Sequence, residues 1–109
     1  MCRALKVMCV AEDAASLMAL KQATVSAEWE LTPGATEERS ALDQIDVERP
    51  HVLVVFGAFP LLLELAGERF PGMRVISDRP AQGVSAVAGS PDEVRLLVLG
   101  MPRPGGPVG

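Results

Sequence analysis

Residues 48–60 read ERPHVLVVFGAFP, and the fold turns on what this stretch is. After His51 it runs through valines, a leucine and a phenylalanine with nothing charged, and β-branched and aromatic residues of this kind fit the pleated surface of a strand. Pro50 closes whatever precedes it, because the residue before a proline is pushed out of helical geometry. Pro60 stands where a following helix begins, a position that tolerates the missing N–H. The segment HVLVVFG (51–57) is therefore expected to be the central strand of a sheet, with a helix on either side of it in the chain.

Working back toward the N-terminus, ATEERSALDQIDVER (35–49) reads as a helix. Glu37 and Glu38 stand in its first turn beside the positive end of the helix dipole, and Leu42 and Ile45 form its inward pair. AEWELTP (27–33) alternates around Trp29 and Leu31 and stops at Pro33-Gly34, as a short strand would. From Ala14 to Ala27 the pattern is helical, with Leu17 and Leu20 three apart and Met18 and Val25 seven apart, each pair on one side of a helix. ALKVMCVA (4–11) is a mostly apolar run ended by Glu12-Asp13, suited to a strand buried on both faces.

Toward the C-terminus, PLLLELAGERF (60–70) reads as a helix and MRVIS (73–77) as a fourth strand. VRLLVLG (94–100) could be a strand by composition, but Ser90-Pro91-Asp92-Glu93 has the form of a capping box with proline at the first helical position. Residues 91–100 are accordingly predicted as a helix stopped by Gly100 and Pro102, and GVSAVAG (83–89) becomes the fifth strand. Strands alternating with helices imply a parallel sheet with right-handed crossovers. RPGGPVG (103–109) reads as a flexible tail.

The 109 residues carry 49% apolar and 22% charged side chains, the balance of one packed domain. With a net charge of −4 and scattered basic residues, the chain shows no footprint for a nucleic-acid backbone. No apolar run reaches the roughly 18 residues of a membrane span. Lys6 interrupts the first apolar run, which has no small-residue cleavage site, so a signal peptide is not expected. Cys2 and Cys9 lie seven apart, without metal or redox spacing, and read as buried thiols of a cytoplasmic protein.

The order of elements and the residues at the strand ends resemble the receiver domain of bacterial response regulators, over roughly residues 4–101 (domain 1–102, before the tail). In that family a Pro-Asp pair precedes an apolar strand that ends in the phosphoacceptor aspartate, and Asp-x-x-Met-Pro follows. Counted from Pro50, the acceptor place falls on Phe56, and the following sequence is Phe56-Gly57-Ala58-Phe59-Pro60. The family's magnesium-binding acidic pair matches Glu12-Asp13, and its hydroxyl residue at the end of the fourth strand matches Ser77, with Asp78 next. Its lysine at the end of the fifth strand falls near Ala88 or Gly89 and is absent; only five residues separate Ser77 from Gly83, so the fourth helix is missing or reduced to a turn.

The resemblance implies a small doubly wound α/β domain with a parallel five-stranded sheet in the order 2-1-3-4-5. It further implies a pseudo-receiver, a phosphorylation-independent interaction module with no catalytic residues and no cofactor. The alternative is a regulatory domain that binds a small ligand in the pocket at the strand carboxyl ends, formed by Glu12, Asp13, Phe56, Ser77 and Asp78. Glu12-Asp13 could hold a cation or could simply start the first helix. His51, at the opposite end of the central strand, reads as structural, and no nucleophile paired with a base supports an enzyme.

Leu61, Leu62, Leu63 and Leu65, and likewise Leu96 to Leu99, exceed what one face of a short helix buries, which marks a deep core or an interface. A parallel sheet short of one helix needs cover over its fourth and fifth strands. The last helix of a second copy, with Val94, Leu97, Val98 and Met101 on one side, is the expected cover, which gives a homodimer or a complex with another protein through the same surface.

Overall fold

The computed structural model describes residues 5–25, 29–70, 72–80 and 84–100. Five strands, β1 (Leu5–Ala11), β2 (Trp29–Leu31), β3 (Val52–Phe56), β4 (Arg74–Ser77) and β5 (Ala86–Val87), form one parallel sheet in the order β2-β1-β3-β4-β5. Four helices connect or follow them: α1 (Ala14–Thr24), α2 (Glu38–Glu48), α3 (Pro60–Arg69) and α4 (Pro91–Leu99). This is the expected α/β architecture, and among the described residues no helix lies between β4 and β5. Cys2, Met101 and the tail 103–109 lie outside the described residues.

Strand alternation divides the core. Leu5, Val7 and Cys9 of β1, with Val52 and Val54 of β3 and Ile76 of β4, face α1 and α4 and pack on Leu20, Val94 and Val98. Met8 and Val10, with Leu53, Val55 and Val75, face α2 and α3 and pack on Ile45, Leu62 and Ala66. Every residue of β3 before Phe56 is buried, as a central strand with a helical layer on each side requires. The Cys9 thiol is buried in the first of these layers; burial pushes it up to about 11, against the opposing pull of its contact with Thr24 and the charge of Lys21.

The helix ends are set by identifiable groups. Asp13 caps α1, accepting the Ser16 N–H at 2.7 Å. Pro60 opens α3, but Phe59 gives it no side-chain cap; instead Glu38, from α2, accepts the Leu62 N–H with Oε2 at 2.8 Å. Ser90 caps α4 by accepting from the Glu93 N–H at 3.4 Å, while the Glu93 carboxylate turns to the Gly89 N–H at 3.2 Å and not to Ser90, as a strict capping box would. His51 is structural: its Nδ1 accepts the Lys6 N–H at 2.9 Å, standing in for a backbone carbonyl at the start of β3.

The expected interface on the last helix is corrected by its orientation. Val94 and Val98 are buried against the chain's own sheet and Leu97 packs partly against the same layer, so these side chains cover the home core. Leu96 and Leu99 are the exposed apolar residues of α4. The reason is periodic: positions 94 and 98 share a face four residues apart, and position 96 falls on the opposite side. The leucines of α3 divide likewise, with Leu62 and Leu63 buried and Leu61 exposed.

Candidate functional site

A cleft of about 480 Å³ opens at the carboxyl ends of β1 and β3, where open α/β sheets place their ligands. Its rim is acidic, with Glu12 and Asp13 from the end of β1 and Asp78 from the end of β4. Its apolar side is made by Ala19 and Leu20 of α1, Phe56 at the end of β3 and Pro91 at the start of α4. Phe56 lies in register with Ala11 on the neighbouring strand and is half-buried against the α1/α4 layer.

Of the five residues expected in this pocket, four line it. Ser77 does not: it is fully buried, and its Oγ accepts the Arg79 N–H at 3.3 Å within the turn that follows β4. Gly57, Ser16, Leu20 and Pro91 were not foreseen. The signal for Gly57 was its place directly after the central strand; the helix residues enter only because α1 and α4 pack side by side.

Two of the three rim carboxylates, Asp13 and Asp78, are already engaged. Asp13 caps α1, and the hydrogen bond from the Ser16 backbone holds its carboxyl below the usual range. Burial acts to push Asp78 up, but hydrogen bonds from Arg79 and the Gly57 N–H, with the charge of Arg79, outweigh it and hold the carboxyl low. Arg79 grips Asp78 at two points, Nε to Oδ1 at 3.1 Å and Nη2 to Oδ2 at 3.3 Å, and Glu12 adds to the negative field around it. Glu12 lies over Gly57, where a β-carbon would collide with the Glu12 side chain and where φ is +127°. A divalent cation needs several oxygens converging on one point, and among the described residues no three acidic, histidine or cysteine side chains assemble in that way. The residues present fit the magnesium ion that the resemblance implies poorly, since Asp13 is committed to the start of α1 and Asp78 to Arg79.

No family model matches the chain, and no curated protein does. Solved structures do match. The signal receiver domain of an HD domain-containing protein from Pseudomonas fluorescens superposes with a TM-score of 0.72 at 16% identity, over 89% of this chain and 92% of that one. A response regulator receiver domain protein from Methanospirillum hungatei gives a TM-score of 0.72 at 19% identity with the same coverage. A cobalamin-binding protein from Desulfitobacterium hafniense gives 0.65 at 11% identity, over 89% of this chain and 58% of that one. At such identities the likeness is one of fold: the chain has a receiver-like, flavodoxin-type fold. Among the described residues no helix is long and apolar enough to cross a membrane.

Proposed function

We propose that the chain is a pseudo-receiver, a signalling module that acts by binding protein partners or itself and does so without phosphorylation. The observation that carries this reading is Phe56 at the carboxyl end of β3, lining the cleft between Glu12-Asp13 and Asp78. Phosphoryl transfer to a receiver needs a carboxylate nucleophile, a cation to neutralise the incoming oxygens and a lysine to hold them. A phenyl ring supplies no nucleophile. The two lysines of the chain are committed elsewhere, Lys6 to Glu48 at 3.3 Å and Lys21 to the Pro33 carbonyl at 2.9 Å, and Ala88 and Gly89 follow β5. Arg79 neutralises Asp78 from within the chain, so the rim has a counter-ion without a metal.

Incubation with acetyl phosphate, or with beryllofluoride and magnesium, tests the reading. Mass and chemical shifts around residues 12, 56 and 78 should stay as they are; a stoichiometric acyl phosphate overturns it. The surface proposed for association is the β5 edge with the outer side of α4, where Val87, Leu96 and Leu99 are exposed. A second reading, a regulatory domain that binds a small ligand, is favoured by the cleft's volume and its apolar wall of Phe56, Leu20 and Pro91. Titration with nucleotides and metabolites separates the two, because a ligand held in the cleft raises the melting temperature.

A further inference from the structure

The β2 edge of the sheet carries a second feature. Ala14, Leu17, Met18, Lys21, Gln22 and Val25 recur at spacings of three and four, so they form one stripe along α1, and together with Leu31 of β2 they line a groove of about 460 Å³. Met18 and Val25 are 61% and 60% exposed, and α1 meets its own core through Leu20 and Thr24. Leu17 and Leu31 pack partly against the home core, whereas Met18 and Val25 are apolar surface that the domain leaves uncovered.

Beside this groove runs β2, which ends the sheet order and, among the described residues, has a strand neighbour on one side only. The Thr32 N–H donates to the Val7 carbonyl at 3.0 Å, so Thr32 faces β1. Because strand backbone groups alternate in direction, the N–H and C=O of Leu31 and Trp29 then point away from β1, as an open template for another strand. Side chains alternate as well: Trp29 and Leu31 lie on the α1 side, and Glu30 is exposed on the other. Lys6, in register with Glu30 on β1, has its ammonium on Glu48, and among the described residues Glu30 is in no ion pair.

We infer that the groove between α1 and the outer edge of β2 is a docking site for an extended segment of a partner protein, one that adds a strand to β2 and alternates apolar with basic side chains. Its apolar residues enter the groove against Met18, Leu17 and Val25, and its basic residues stand opposite Glu30 on the other face. Strand addition supplies main-chain hydrogen bonds, and pockets for alternate side chains supply selectivity. With only three residues in β2, the ladder is short and the groove must contribute much of the affinity. A second copy of the chain fits less well, since antiparallel pairing of β2 with itself about its middle residue sets Glu30 against Glu30, and like charges directly opposite are destabilising. The net charge of −4 also favours a basic partner.

The inference rests on the sheet edge and not on the cleft, so the acetyl phosphate experiment neither supports nor removes it. The test uses the isotope-labelled full chain and a blocked synthetic hexapeptide of sequence lysine-valine-arginine-leucine-lysine-valine. Saturable shifts at Trp29–Leu31 and at the Met18 and Val25 methyl groups are expected, with slowed amide exchange at Leu31. A proline at the centre of the peptide should abolish them, because it removes a ladder donor. Met18→Glu should weaken binding about tenfold or more by placing a charge in the groove, with an unchanged melting curve as the control for folding. Glu30→Lys should move the preference from this peptide to its glutamate-for-basic analogue. The inference is overturned by absence of saturable binding, by shifts that map to the cleft at Glu12 and Asp78, by indifference to the proline, or by self-association that Met18→Glu abolishes while the peptide does not bind.

Discussion

Glu12 lies directly across Gly57, with its carboxylate oxygen Oε1 2.6 Å from where a β-carbon at that glycine would stand. The chain leaves β3 here with φ +127°, a conformation that side chains resist. Gly57→Ala should therefore cost about 1–3 kcal/mol, part from the backbone and part from the collision. Adding Glu12→Ala should recover the collision part alone, so a double-mutant cycle by denaturant unfolding will show a coupling between the two positions.

Asp78 links the same turn to β4, accepting the Gly57 N–H at 3.3 Å while holding Arg79. Its carboxyl is lower in the folded chain than in the unfolded one, so on acidification the unfolded state takes up the proton first. The stabilisation is present above the unfolded value and is lost as pH falls through the folded one. Asp78→Asn should flatten the loss of stability below about pH 4, and urea unfolding at a series of pH values will show it. The pair is exposed enough that its share at neutral pH should be small.

Glu38 bonds to Leu62 at the start of α3, a helix without a cap of its own. Removing this carboxylate leaves an N–H at the helix start without its partner and the helix dipole without its counter-charge. Glu38→Ala should cost about 1 kcal/mol, and Glu38→Gln less, since the amide oxygen still accepts. Thermal unfolding of the two variants against the parent measures the difference.

Leu96 and Leu99 are exposed on α4, while Val94 and Val98 on its inner side hold the core. Leu96→Glu with Leu99→Glu should leave stability within about 0.5 kcal/mol of the parent and reduce association in sedimentation across a wide concentration range. Val98→Glu should unfold the domain, because an unpaired charge would enter the core. A parent chain that stays monomeric and binds no partner through this surface removes the case for it.

The sequence alone determined the alternation of strands and helices, the central place of residues 52–56 and the breaks at Pro50, Pro60 and Ser90-Pro91. These are local matters, written in runs of β-branched residues, in helical spacing and in the backbone limits of proline. Through resemblance it also gave the expectation that the acceptor place after the central strand falls on Phe56. What it left open was direction. The leucines of α4 read as a surplus until the packed helix turned Val94 and Val98 inward and Leu96 and Leu99 outward. Ser77 read as a pocket residue, yet the turn after β4 draws its hydroxyl to the Arg79 N–H and gives the cleft to Asp78. Glu38 read as a first-turn charge for its own helix and serves the next one. Only the tertiary structure decided these, because each depends on which side chains two elements bring within hydrogen-bond or packing distance, across 24 positions of chain for Glu38 and Leu62. Spacing along one element carries no information about its neighbour.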